Sequence, residues 1–411
     1  MRIIVVSQIY HPTPFRINDI VAALIDAGHE VKVITGLPDY GLKKIPQAYR
    51  WGRRRREWID GAEVVRVPTT ARRTGVFWRA LNYASFAVSG WLYACFCKKD
   101  FDIILNYETS PIFQAIPARR LKHRSKKPFV LYCLDLWPES LKAWQIKEED
   151  WLFKISAKIS AKLYRSADCV PISSPAFRSY LETHSGVPSQ RIVFWPQHGE
   201  THFAAIDGTV TQTGFFDFVY AGNMGSVQAV DQFLYAIPYM QAKRPYRFHF
   251  VGGGSELTNL KSLATALSIN DRVIFYDQKP ASEMPYFYKL ADVFLLSLAS
   301  DSAIALTLPG KLQGYMGAGK PIAAVAGGAV SDLIKKVECG VVSTTDKPKQ
   351  TAAQLDYLIE NERARWEMGR NGQKFYNNYF TKTAVMDKIL TTLNQLMNNN
   401  ETPYSYIYEK E

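Results

Sequence analysis

Twelve short runs rich in β-branched and aromatic residues recur along the chain, separated by helix-length segments with apolar residues at 3.6-residue spacing. They form two series. The first holds RIIVVSQ (Arg2 to Gln8), EVKVITG (Glu30 to Gly36), EVVRVP (Glu63 to Pro68), FDIILNY (Phe101 to Tyr107), FVLYCLD (Phe129 to Asp135) and DCVPISS (Asp168 to Ser174). After a polar stretch from Gln197 to Thr213, the second holds FDFVYAG (Phe216 to Gly222), FHFVGGG (Phe248 to Gly254), RVIFYD (Arg272 to Asp277), DVFLLSL (Asp292 to Leu298), PIAAVAG (Pro321 to Gly327) and GVVS (Gly340 to Ser343). The near-continuous apolarity of these runs is that of parallel strands covered by helices on both sides. They predict an α/β protein with two Rossmann-like, doubly wound parallel-sheet domains facing a central cleft, and ligands at the carboxyl ends of the strands. The expected boundaries are 1–205 and 206–380, with 381–411 a C-terminal helix and polar tail that brace the domains.

Charged residues make up only 21% of the chain and hydrophobic ones 47%, which excludes a disordered or fibrous protein. The charge is unevenly spread. Between residues 50 and 79, nine arginines (Arg50, Arg53, Arg54, Arg55, Arg56, Arg66, Arg72, Arg73 and Arg79) meet only Glu57, Asp60 and Glu63, so half of the net +12 lies there. Such a patch implies an acidic partner: nucleic acid, an anionic membrane or phosphate. It adjoins 18 uncharged residues, Ala80 to Cys97. There Arg79, Asn82, Ser85 and Ser89 share one helical side and leave a broad apolar one, which suits a packed helix or a helix lying in a membrane surface better than a span. Five cysteines without metal-type spacing point to a reducing compartment. The N-terminal apolar run, Ile3 to Val6, is too short for a signal-peptide core, so the expected location is the cytoplasm, peripherally on the inner face of the cell membrane.

Candidate site residues follow the strands. AGNMGS (Ala221 to Ser226) ends a strand and opens a helix, so Gly222, Asn223 and Gly225 are placed for backbone contact with a phosphate, although a plain turn shares the pattern. Gly252, Gly253 and Gly254 make either a tight turn or a low wall for a base or sugar. In LPGKLQGYMGAGKPI, Pro309 and Gly310 open a short helix with Lys311 in its first turn. A cation there opposes the helix dipole unless an anion is bound; a diphosphate supplies one, and a solvated lysine is the alternative. In the first series, LDLWPESL closes a strand with Asp135 and Glu139, placed for a sugar hydroxyl or proton transfer, or for capping a helix. His11 and Arg16 follow the first strand at the same rim. No Walker A, GxSxG, HExxH or CxxC sequence occurs, and no nucleic-acid-binding signature accompanies the arginines.

Taken in order, QIYHPTPFRINDIVAAL, AGHEVKVITGLPDY, LNYASFA, LYCLDLWPESL, FVYAGNMG, FHFVGGGSE, KLADVFLLSL and PGKLQGYMGAGKPIAAV resemble bacterial retaining glycosyltransferases of family 4 with the GT-B fold. The likeness is to the branch that builds capsular and exopolysaccharide repeat units, and it spans Met1 to about Asn398. It implies transfer of a sugar from a nucleotide sugar, usually UDP-linked, to a lipid-linked saccharide acceptor at the membrane, with no metal or other cofactor. The N-terminal domain would take the acceptor and the C-terminal domain the nucleotide sugar. Carried over, Asn223 and Gly225 lie by the diphosphate, Gly252 to Gly254 along the nucleotide, Lys311 on the phosphates, and Asp277 and Lys279 at the edge of the base. Asp135 stands where many relatives place a histidine near the anomeric carbon, and His11, Asp135 and Lys311 are the candidate catalytic residues.

Some positions depart from the pattern. The family's paired glutamates would fall at Leu306 and Gly314, so Asp301 and Gln313 are the candidate replacements. Asn223 and Gln228 stand where an arginine and a lysine often neutralise the diphosphate. A sugar-nucleotide epimerase and a catalytically silent partner subunit share the fold and remain alternatives. The arginines from Arg50 to Arg79, the cluster Arg119, Arg120, Lys122, Arg124, Lys126 and Lys127, and the helix from Ala80 to Cys97 then read as a face for anionic lipid.

Overall fold

The computed structural model describes every residue except 41, 43, 74, 200–213, 300–302 and 399–411. It divides into two units, Met1–Trp195 with the residues from Met386 onward, and Pro196–Val385. In chain order the first unit holds β1 (Arg2–Val6), α1 (Arg16–Asp26), β2 (Glu30–Thr35), β3 (Arg56–Ile59), β4 (Ala62–Arg66), α2 (Val76–Phe96), β5 (Ile103–Glu108), α3 (Ile116–Ser125), β6 (Phe129–Cys133), α4 (Trp151–Ser166), β7 (Val170–Ile172), α5 (Phe177–Thr183) and β8 (Ile192–Phe194). Its sheet runs β3-β4-β2-β1-β5-β6-β7-β8 and is parallel throughout except for β3, which pairs antiparallel with β4. The second unit holds β9 (Phe216–Ala221), α6 (Asp231–Ala236), β10 (Tyr246–Val251), α7 (Leu257–Ala266), β11 (Val273–Tyr276), α8 (Met284–Leu290), β12 (Val293–Ser297), α9 (Gly310–Gly317), β13 (Ile322–Val325), α10 (Gly328–Val337), β14 (Gly340–Ser343), α11 (Pro348–Glu360) and α12 (Glu362–Tyr379). A last helix, α13 (Lys382–Met397), follows.

The second sheet is wholly parallel, in the order β11-β10-β9-β12-β13-β14. The order reverses between β9 and β12, and a doubly wound sheet opens its ligand crevice at the carboxyl edge of that point. Aromatic packing fixes what surrounds it. Phe216, Phe218 and Tyr220 point to one side of β9, with Phe218 stacked on Phe248 of β10 at 4.7 Å between ring centres. Tyr315 of α9 stacks on Phe294 of β12 at 4.1 Å, and its hydroxyl accepts a bond from the Ala221 N–H at 2.9 Å. These contacts hold the start of α9 beside the end of β9.

Two strands in the first unit were not anticipated. β3 is a short edge strand inside the arginine-rich stretch, with Trp58 exposed, and β8 is only three residues long. Arg66, counted with the cationic patch, proves buried: it donates to Glu57 Oε1 at 2.8 Å and to the His11 carbonyl at 2.7 Å, so its charge holds the loop after β1 and adds nothing to the surface.

The uncharged segment forms α2, which starts at Val76, before Ala80. Its polar side turns inward. Asn82 is buried, accepts from Gln8 Nε2 at 2.9 Å and donates to Asp39 Oδ2 at 2.8 Å, while Ser85 Oγ accepts from the Thr70 N–H at 3.0 Å. Phe77, Leu81, Val88, Trp91 and Phe96 are left exposed. Among the described residues no helix is long and apolar enough to cross a membrane.

Candidate active site

Three loops and one helix start gather at the carboxyl edge of the second sheet. The loop after β9 and the loop after β10 are bonded through their backbones: the Met224 N–H donates to the Gly253 carbonyl at 2.7 Å, and the Glu256 N–H to the Met224 carbonyl at 3.0 Å. That approach leaves no room for side chains. A Cβ on Gly252 would sit 2.1 Å from the Gly222 carbonyl oxygen, and one on Gly254 2.3 Å from that of Met224, and both have positive φ. Gly253 is different, because a Cβ there would meet nothing within 4 Å. Of the triple glycine, two residues are needed for the turn itself and the third borders open space.

Lys311 lies in the first turn of α9, and its side chain turns inward. Its Nζ donates to Tyr220 Oη at 2.7 Å and lies 3.9 Å from the centre of that ring, beside Gly222. Tyr220 Oη donates in turn to the Asn223 carbonyl at 2.7 Å. The residue as a whole is half-buried, but its ammonium is enclosed, and burial pulls its pKa down to about 7. Among the described residues no carboxylate offsets that burial. A lysine enclosed at a helix start, beside the free N–H groups of its first turn, has the chemistry to hold an anion.

The neighbouring polar residues satisfy one another. Gln228 Oε1 accepts from the Gly225 N–H at 3.0 Å and from Asn223 Nδ2 at 3.1 Å, so the two positions where cations were sought form a neutral pair. Gln313 is buried, and with its amide oriented to satisfy its neighbours the nitrogen donates to the carbonyls of Pro309 and Gly310 at 2.8 and 2.9 Å, within its own helix turn. Asp277 is exposed after β11, and Lys279 is engaged with Glu283 at 3.3 Å. Asp301 lies outside the described residues.

At the carboxyl edge of the first sheet, His11 follows β1 and Asp135 follows β6, with β5 between them. His11 Nε2 stands 3.8 Å from Asp60 Oδ2. Asp135 Oδ2 accepts from the Ser110 N–H at 2.8 Å; burial pushes its carboxyl above the ordinary range, against the pull of that N–H. Next to it, Glu108 at the end of β5 is fully buried and its carboxyl is raised well above the ordinary range, by burial first and by Asp135 second. Glu139 is buried and pairs with Lys142 at 2.6 Å. Sequence reasoning missed Tyr220 and Glu108; the one signal for Tyr220 is its hydroxyl at the strand end, in phase with Phe216 and Phe218. Among the described residues no three His, Cys, Asp or Glu side chains gather as a metal site.

Residues 206–375 match the family described as glycosyl transferases group 1, and residues 15–197 match the glycosyl transferase 4-like domain. Over 365 residues the chain is 25% identical to WcaI of Escherichia coli (strain K12), named as a colanic acid biosynthesis glycosyl transferase, with 84% of this chain and 86% of that protein aligned. Over 139 residues it is 30% identical to a GDP-mannose-dependent alpha-(1-6)-phosphatidylinositol monomannoside mannosyltransferase of Mycolicibacterium smegmatis, covering 33% of this chain and 36% of that one. Among solved structures, sucrose-phosphate synthase from Thermosynechococcus elongatus superposes with a TM-score of 0.75 at 16% identity, over 97% of this chain and all (100%) of that one. Anabaena Alr3699/HepE in complex with UDP gives 0.69 at 13% identity, over 96% and 99%.

Proposed function

The chain belongs to the family 4 glycosyltransferases of GT-B fold, and from that premise we propose that it moves a sugar, with retention of anomeric configuration, from a nucleoside diphosphate sugar to a lipid-linked saccharide in exopolysaccharide assembly. UDP is the nucleotide proposed, since HepE was solved with it, and the pathway follows the naming of WcaI for colanic acid. The observation that carries the reading is Lys311, enclosed beside Tyr220 at the start of α9, with no carboxylate among the described residues to pair it.

In this reading the departing diphosphate takes the developing negative charge, and Lys311 with the first N–H groups of α9 stabilises it without needing to reorganise. The bond from the anomeric carbon to the phosphate oxygen breaks, the bond to the acceptor oxygen forms on the same side, and the acceptor proton passes to the leaving phosphate. Such a course asks little of a side-chain base. Asp135 and His11 then orient the acceptor and the sugar rather than ionise the acceptor. The donor needs no metal ion, because a lysine and helix amides neutralise the diphosphate.

The acceptor side is proposed to rest on anionic lipid. The outward apolar side of α2 supports this, together with the exposed arginines Arg53, Arg54 and Arg56 in the same unit. The test is a screen of UDP-, GDP- and dTDP-sugars with membranes present. Transfer of label to a lipid fraction supports the reading, nucleotide binding without turnover makes the chain a silent partner subunit, and interconversion of the free sugar nucleotide makes it an epimerase.

A further inference from the structure

Parallel crossovers are right-handed, and that rule puts α2, α3 and α4 on one side of the first sheet. The connections β4 to β5, β5 to β6 and β6 to β7 all run the same way along the strand order, whereas β1 to β2, which carries α1, runs the other way. Consistently, α2 packs on α3, and α3 on α4. Together these three helices hold nine lysines and arginines and no aspartate or glutamate. On the other side, α1 carries Asp19 and Asp26 beside Arg16. By the same rule α5 lies on the face of α2, α3 and α4, with Arg178 and Glu182 3.6 Å apart, and the exposed Glu148, Glu149 and Asp150 precede α4, so the cationic character belongs to α2, α3 and α4 themselves.

On that face α4 has its own pattern. Its inward side is Phe153, Ser156, Ser160, Leu163 and Tyr164, whose two serines let the helix lie close to its neighbours. Its outward side sets Trp151, Ile155 and Ile159 on successive turns, 72%, 46% and 36% exposed. An exposed apolar row of that regularity serves no core. Beside it runs a row of exposed lysines, Lys154, Lys158 and Lys162, also four residues apart. An apolar row bordered by lysines, on a helix without a carboxylate, is complementary to a lipid surface whose headgroups are anionic and whose interior is apolar.

We propose that α4 is a second lipid-inserting element: Trp151, Ile155 and Ile159 enter the interface of an anionic bilayer while Lys154, Lys158 and Lys162 meet its headgroups. The inference rests on the membrane reading of α2 given above. Two inserted helices with α3 between them define a plane, so the first unit docks in one orientation instead of pivoting about a single helix.

The test uses the full chain and vesicles of phosphatidylcholine with and without phosphatidylglycerol, read by co-sedimentation. The double variant I155E/I159E changes exposed positions only, and its circular dichroism and unfolding temperature should match the parent. It should bind phosphatidylglycerol vesicles about tenfold more weakly or worse. The triple variant K154S/K158S/K162S should lose the preference for phosphatidylglycerol. A parallel variant on α2, V88E/W91E, separates the two claims. If V88E/W91E detaches from vesicles while I155E/I159E binds as the parent does, the role of α4 is overturned and that of α2 stands. If the parent binds neither vesicle, the membrane reading itself falls and α4 with it. If I155E/I159E only abolishes self-association in sedimentation velocity, the row is a contact between copies and the proposal is wrong.

Discussion

Lys311 Nζ lies 2.7 Å from Tyr220 Oη, and that hydroxyl spends its own proton on the Asn223 carbonyl, also at 2.7 Å. The lysine therefore has to be the donor in the first bond, and the loop after β9 is tied to the start of α9 through one phenol. The sign of the resulting pH dependence is fixed. Folded, Lys311 gives up its proton above about 7; unfolded, it keeps it to 10.5. Folding between those limits releases a proton, and stability is lost as pH falls through that window toward 7. An anion that restores the charge must take a proton up. Titration calorimetry of UDP at pH 8, in buffers of different ionisation enthalpy, should show uptake approaching about one proton, and Lys311→Met should abolish it. The same variant should lower kcat by about a hundredfold or more.

The glycine loop gives a contrast between adjacent residues. Gly254→Ala drives a Cβ to within 2.3 Å of the Met224 carbonyl oxygen at a φ of 152, so it should cost about 2–4 kcal/mol and show a clear fall in unfolding temperature. Gly253→Ala has open space around it and should unfold like the parent, with any effect confined to the KM for the donor. Equal destabilisation by both would contradict the division of roles.

Asp135 predicts a trade between stability and activity. Its folded carboxyl resists ionisation, so burial costs stability once pH rises above the ordinary carboxylate range, and the cost persists above the raised folded value. Asp135→Asn should raise the unfolding temperature near neutrality by about 2–4 °C, assuming roughly 1 kcal/mol is recovered. The gain should vanish below pH 4, where both residues are neutral. Turnover should fall at every pH.

Charge on the patch should govern membrane association. Arg53, Arg54 and Arg56 are exposed, and replacing them with serine should weaken binding to anionic vesicles and flatten its salt dependence. Arg66→Ser should act differently, by unfolding the chain or displacing the His11 loop, because it strands Glu57 and the His11 carbonyl.

Both sheets were legible in the sequence because a parallel strand buried on both sides leaves an uninterrupted apolar run, as in FDFVYAG and FVLYCLD. β3 was not, since an edge strand with one wet side reads as an arginine-rich loop. The helical phase of Asn82, Ser85 and Ser89 was visible, but not its direction: periodicity gives a polar side without saying which way it faces, and partners such as Gln8 and the buried Asp39 lie far away in sequence. Lys311 was visible for the same kind of local reason, its place in a helix's first turn. Tyr220 was not, because a tyrosine in phase with two phenylalanines reads as core until α9 is seen to bring a lysine to its hydroxyl.

The most direct measurement is transfer of radiolabelled sugar from UDP-, GDP- and dTDP-sugars into the organic-extractable lipid of membranes, with the parent chain and with Lys311→Met. Label should enter the lipid from at least one donor with the parent, be reduced about a hundredfold with the variant, and persist in the presence of EDTA. If no donor gives label although nucleotide binds, the account of sugar transfer is wrong, and if Lys311→Met transfers as well as the parent, the account of a diphosphate held at Lys311 is wrong.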